Sequence, residues 1–154
     1  SLQLWADLPM SELKMYREKI PVPEERAEAI ERARALQRTF DCLIANTDRT
    51  LQNIRYTPDW RLILIDHSRS FRDGSPYLDR LIFGRNGLAL KTTLVPLPRA
   101  FVESLRALTS QAVREAIGKY LKSSEIRAVL KRRDLILKEI EEEIAEKGET
   151  AVLY

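Results

Sequence analysis

The stretch FDCLIANTDRTLQNIRYTPDWRLILIDHSRSF, residues 40–71, decides the fold. Its first residues complete a helical pattern in which Ala27, Ile30, Ala33, Leu36, Phe40, Leu43 and Ile44 recur every three or four positions, with charges on the opposite face. That spacing predicts a helix of about 20 residues starting after Pro23 and ending near Ala45-Asn46. Two short β-type runs follow, Asn53–Tyr56 and Arg61–Ile65. Thr57-Pro58-Asp59-Trp60 joins them as a turn whose geometry Pro presets, so the pair reads as a hairpin.

Working outward, residues 1–7 open with Ser1-Leu2-Gln3-Leu4-Trp5, an apolar/polar alternation that reads as a half-buried strand. Pro9, Pro21 and Pro23 bracket a short predicted helix over Met10–Lys19. Downstream, Gly74, Pro76, Gly84, Gly87 and Pro96 predict that 67–97 is mostly loop, with one short helix around Tyr77–Phe83. A loop of that length is usually functional or mobile. Pro98 suits the first turn of a helix reaching Leu108, and Thr109 or Ser110 can cap another through Ile117. Ser123 or Ser124 then opens a long helix carrying Ile126, Val129, Leu130, Ile136, Leu137, Ile140 and Ile144, which Gly148 stops. The expectation is a single domain over 1–154, mainly α with a small β-hairpin (α+β). Residues 24–66 supply its central helix, loop and hairpin, and 98–147 its C-terminal helices.

The chain has 154 residues, 44% of them apolar and 32% charged, which fits one helix-rich globular domain rather than a disordered chain. No apolar run reaches the roughly 18 residues of a membrane span. The lone Cys42 sits among Phe40, Leu43 and Ile44 as core packing and leans towards a reducing, cytoplasmic location. A net charge of +3, not gathered on one predicted helix face, gives no expectation of a nucleic-acid partner. Residues 49–106 nevertheless hold ten Lys and Arg against five Asp and Glu, a local field that attracts phosphate groups.

Three residues carry the chemistry. Phosphoryl transfer needs a carboxylate that orients the acceptor, a side-chain amide on magnesium, and a second carboxylate bridging metal and phosphates. Asp48, Asn53 and Asp66 are those residue types, and a hairpin starting at Asn53 returns the chain so that Asp66 lies beside it. Singly, Asp48 and Asn53 read better as turn or capping residues. The spacing of all three favours one site. A metal-dependent hydrolase built on Asp48, Asp66 and His67 has suitable residue types but no recognisable ligand motif.

NTDRTLQN followed by LIDHSRSF resembles the catalytic and metal-binding loops of the atypical kinases: the phosphatidylinositol 3- and 4-kinases, the HipA-type bacterial kinases and the secretory-pathway kinases. Thr50 stands where the lipid kinases have His, and Asp66-His67-Ser68-Arg69-Ser70-Phe71 is nearer to the secretory-pathway style. The resemblance implies a kinase-type C-terminal lobe, with ATP and Mg2+ (or Mn2+) as cofactors and a hydroxyl acceptor that is protein, lipid or small molecule. By position, Asp48 would be catalytic, Asn53 and Asp66 would bind metal, and Leu4, Trp5 and Ile65 would meet the nucleotide. No Gly-rich phosphate loop or strand lysine precedes the hinge-like start, so the N-terminal lobe is expected elsewhere in the same chain. The alternative is a pseudokinase-like binding or regulatory module without turnover.

Supporting residues are read more modestly. Arg49 bonds backbone carbonyls or the Asp66 region, His67 partners a nearby carbonyl or carboxylate, and Arg69 either meets phosphate or is solvated. Trp5 and Trp60 pack. Lys131-Arg132-Arg133 forms the wet face of the last helix.

Overall fold

The computed structural model describes Leu8 and residues 10–154. The strand expected over 1–7, with Leu4 and Trp5, lies outside them. The architecture is mixed α+β, with small sheets set among helices.

Strand β1 (Met10–Ser11) leads directly into helix α1 (Glu12–Glu18). The predicted helix over Met10–Lys19 is thus shorter by its first two residues, because Ser11 caps it: its hydroxyl accepts from Lys14 N–H at 3.1 Å, and that requires an extended Ser11. Lys19 ends the helix in the left-handed region. Helix α2 (Glu24–Ile44) starts immediately after Pro23, with Glu24 and Glu25 against the positive end of its dipole. It ends at Ala45, whose φ of 47° turns the chain away.

Strands β2 (Ile54–Tyr56) and β3 (Leu62–Leu64) form the expected hairpin in the register Ile54↔Leu64, Arg55↔Ile63, Tyr56↔Leu62. Its connection is a turn followed by Trp60 at φ 66°, a conformation that usually calls for glycine. Here the Trp60 ring packs on Tyr56, with centroids 5.9 Å apart. β1 adds to β2 as a third antiparallel strand, Met10↔Tyr56 and Ser11↔Arg55.

Over the 67–97 stretch the structure departs from expectation. The Tyr77–Phe83 helix is absent; residues 75–79 form turns, and β4 (Phe83–Gly84) pairs in parallel with β5 (Leu90–Lys91). Gly84 adopts φ 126°, and a Cβ there would collide with the Glu139 carboxylate. Helices α3 (Arg99–Ala107) and α4 (Ser110–Ile117) follow, the latter capped by Thr109. α5 (Ser123–Lys147) begins at the anticipated serines, with Lys122 N–H donating to Glu125 Oε2 at 2.6 Å. Past Gly148 a short helix, α6 (Glu149–Val152), brings Leu153 beside Leu97.

Two apolar clusters result. The larger joins Cys42 and Ala45 to Leu94, Leu97, Val102, Leu105, Ile136, Ile140 and Val152; the smaller joins Met15, Ile30, Ile54 and Tyr56. α2 runs from one to the other, with Ile30 in the small cluster and Cys42 in the large one. Burial pushes the Cys42 thiol up to about 12, so it is an inert packing group. Among the described residues no helix is long and apolar enough to cross a membrane.

One charged run proves different from its sequence reading. Lys131 is exposed and pairs with Asp79, but Arg132 is only 1% exposed. Its guanidinium donates to the carbonyls of Leu43 (2.9 Å), Arg72 (2.7 Å) and Tyr77 (3.5 Å). Burial away from any carboxylate contact holds its pKa down to about 10, still charged at neutral pH.

Candidate functional site

The site is organised by a residue that the sequence reading did not single out. Asp41, fully buried in the last turns of α2, accepts hydrogen bonds from Gln37 Nε2 (2.5 Å), Asn46 Nδ2 (3.2 Å) and Arg49 Nε and Nη2 (2.9 Å each). A carboxylate near a helix C-terminus opposes the dipole, so it persists only with such compensation. The available signal was an acid inside the apolar run Phe40–Ile44, where a bare charge is untenable.

Arg49 uses its remaining donor on two carbonyls, Asn53 (3.1 Å) and Ile65 (2.7 Å). Of the two partners expected for Arg49, backbone carbonyls or the Asp66 region, the structure shows carbonyls, one of them that of Ile65 next to Asp66. One guanidinium therefore ties the end of α2, the Asp48–Asn53 loop and the end of β3 together. Ile65 N–H closes the arrangement on the Asn53 carbonyl at 3.1 Å.

The far side of the Asp66 loop is attached too. Thr47 donates its N–H and its hydroxyl to the Arg69 carbonyl, both at 3.3 Å, and Phe71 N–H reaches the Ile44 carbonyl. Asp66 thus stands between Ile65 and Arg69, each bonded to the Thr47–Asn53 segment. The segments flanking Asp66 are accordingly fastened to Asn53 and to Thr47, beside Asp48.

Local geometry defines each group. Asn53 Nδ2 donates to the Asp48 carbonyl at 3.1 Å, which orients the amide and leaves Oδ1 as its acceptor. Asp66 is exposed at φ 55°, and its Oδ1 accepts from Ser68 Oγ (2.6 Å) and Ser68 N–H (3.2 Å). Those bonds hold its carboxyl below the usual carboxylate range, with the Arg49 cation as a lesser cause. Non-glycine residues at positive φ cluster in this loop, since Phe71 lies at 62°; such strain concentrates at functional sites. The Asp48 carboxylate is partly exposed, with Arg69 Nε 3.7 Å from Oδ2.

His67 packs edge-on against Phe40, with centroids 6.0 Å apart, rather than bonding a carbonyl or carboxylate as the sequence suggested. Desolvation and the neighbouring Arg49 cation lower its pKa, which disfavours the charged imidazolium. Among the described residues no group of three His, Cys, Asp or Glu is placed to hold a metal. Magnesium does not need one: it takes one or two carboxylates and completes its shell with water and phosphate oxygens. An exposed Asp66 carboxylate and an oriented Asn53 amide fit that requirement.

The hairpin separates two concavities. Leu62 and Leu64 face α2, whereas Ile63 and Ile65 are 36% and 38% exposed on the other side. Beside Ile65 a cleft of about 430 Å3 is lined by the amides Gln52 and Asn53, by Glu18, and by Lys14, Arg17 and Arg55, three cations that the sequence does not connect with the site. No family model matches the chain, and no curated protein matches it significantly.

Proposed function

We propose that this chain transfers a phosphoryl group from ATP to a hydroxyl acceptor with Mg2+ or Mn2+, as the catalytic and metal-binding part of an atypical kinase. The observation that carries the reading is the Arg49 tie, which holds the Asp48–Asn53 loop and the start of the Asp66 loop as one unit. Positioning is most of what a protein contributes to phosphoryl transfer, because the chemistry is largely dissociative.

In this reading Asp48 orients the acceptor hydroxyl and takes its proton on a carboxylate oxygen. Arg69, beside Asp48 Oδ2, adds positive charge where the phosphoryl group arrives. Asn53 and Asp66 would hold the metal, which would neutralise phosphate charge. Ile65 offers an apolar surface to the nucleotide base, and Lys14, Arg17 and Arg55 set a positive field in the adjoining cleft.

The test is Asp66→Asn. In wild type, Mn2+ should broaden the amide resonances of Asn53 and Ile65 to Ser68; in the variant this broadening and ATP-dependent transfer should both disappear. The fold should survive, since the introduced asparagine would tolerate the same positive φ and its amide oxygen would still accept from Ser68. A variant that melts several degrees lower yet still binds Mn2+ would make Asp66 a structural turn residue and defeat the reading. Metal and nucleotide binding without turnover in the complete protein, N-terminal lobe included, would leave a regulatory module.

A further inference from the structure

The inner face of the hairpin and one face of α2 enclose a second concavity, about 580 Å3, that no part of the phosphoryl-transfer reading uses. Ala29, Ile30, Ala33, Leu36 and Phe40 form its floor, with Trp60, Leu62, Leu64 and Phe101 as walls. Its volume falls within the range of small-molecule sites, which pair an apolar lining with a few placed polar groups. From Arg26 to Phe40 the helix rises about 21 Å, so the concavity is an elongated trough.

The two ends differ. Phe40, at one end, packs on His67 behind the Asp66 loop. At the other, Arg26 lies one helical turn before Ile30, which clusters with Tyr56 and Trp60, and so Arg26 and Arg61 both come to the hairpin tip. Arg61 is exposed and shared with Asp59 across 2.9 Å, and Arg26 is exposed and joins no ion pair among the described residues. Two cations against one acid give this end a net positive charge, and the trough behind it carries no charge at all.

We infer that this trough binds a long-chain anionic amphiphile, a fatty acid or its acyl equivalent, with the chain along α2 and the carboxylate at Arg26 and Arg61. An extended acyl chain matches the length and apolar lining of the trough, and each methylene removed from water contributes to binding. Guanidinium groups suit a carboxylate because their planar donors pair with both oxygens. Small Ala29 and Ala33 on the floor leave the room that a chain occupies. The inference stands apart from the metal site and does not depend on phosphoryl transfer.

Dodecanoate, kept below its micelle concentration and titrated calorimetrically into the chain, is the probe. Saturable binding at about one equivalent is expected. Ala33→Trp should fill the trough and weaken binding by about tenfold or more, and Arg26→Glu combined with Arg61→Glu should do likewise. Dodecyltrimethylammonium, with the same tail and opposite head, should bind the wild type more weakly than dodecanoate. No saturable binding, unchanged affinity in Ala33→Trp with its helical circular dichroism intact, or equal affinity for the two heads would overturn the inference. A wild-type dimer that Ala33→Trp dissociates would overturn it too, in favour of a contact between copies of the chain.

Discussion

Replacing Arg49 with Met puts the central tie to a quantitative test. Arg49 and Asp41 side chains are 2% and 0% exposed, and Arg49 makes four hydrogen bonds, two to the carboxylate and two to the carbonyls of Asn53 and Ile65. Removing one member of a buried pair leaves an uncompensated charge and costs about 3–5 kcal/mol. Gln37 and Asn46 still solvate Asp41, which favours the lower half of that range. A loss of about 3–4 kcal/mol is a large share of the 5–15 kcal/mol typical of a domain, and lowers Tm by about 6–16 °C at this size. Asp41→Asn in the same chain removes the stranded charge and keeps Oδ1 as the acceptor for Asn46, while Gln37 must turn its amide oxygen towards the new Nδ2, so the double variant should regain about half the loss. Urea unfolding followed by tryptophan fluorescence reads all three proteins. Arg61→Met, which breaks an exposed pair 77% and 57% accessible, is the control and should move stability by less than about 0.5 kcal/mol. If Arg49→Met costs less than about 1 kcal/mol, or the two changes simply add, the tie does not hold the loops.

Two further outcomes follow from other contacts. Ser68→Ala removes the strongest bond holding Asp66 ionised, so a carbon-detected pH titration should show the Asp66 carboxyl moving up towards its ordinary value. Because the folded carboxyl is depressed, the stability it contributes is present above the ordinary carboxylate range and lost as pH falls through its folded value; Ser68→Ala should flatten that acid limb. An unmoved titration would show that Ser68 does not govern Asp66. Arg132→Met strips three carbonyls of their buried donor and should cost about 2–4 kcal/mol. Trypsin should then cut at Arg72 at least several-fold faster, and an unchanged cleavage rate would show that Arg132 does not fasten that segment.

What sequence could reveal followed from periodicity and punctuation. α2 and α5 carry long apolar repeats marked by Pro23 at the start of one and Gly148 at the end of the other, and the β2–β3 hairpin is marked by Pro58 between β-type runs, so these elements were legible. β1 was not, because two residues leave no period and Ser11 is extended only through its cap on α1 and its pairing with Arg55. The β4–β5 pair likewise depends on a loop closing on Leu81 and Ile82. Among candidate site residues, Asn53 lies against Ile65, the residue before Asp66, because a hairpin joins the two segments, a backbone relation that spacing encodes. Asp41 and Arg132 escaped notice because charge in a sequence signals solvent; only the fold shows the guanidinium facing Asp41 or the carbonyls converging around Arg132.

The two faces of β3 look into different concavities, with Leu62 and Leu64 in the trough and Ile65 in the cleft beside Asn53. A strand alternates strictly, so a shift of one residue in pairing would exchange every occupant of the two faces. The register is set at the far end, where Thr57 brackets the turn: its N–H meets the Arg61 carbonyl at 3.0 Å and its hydroxyl receives Arg61 N–H at 2.9 Å. One residue inserted or deleted between Thr57 and Arg61 would therefore present the wrong side chains to both concavities at once, without touching Asp48, Asn53 or Asp66.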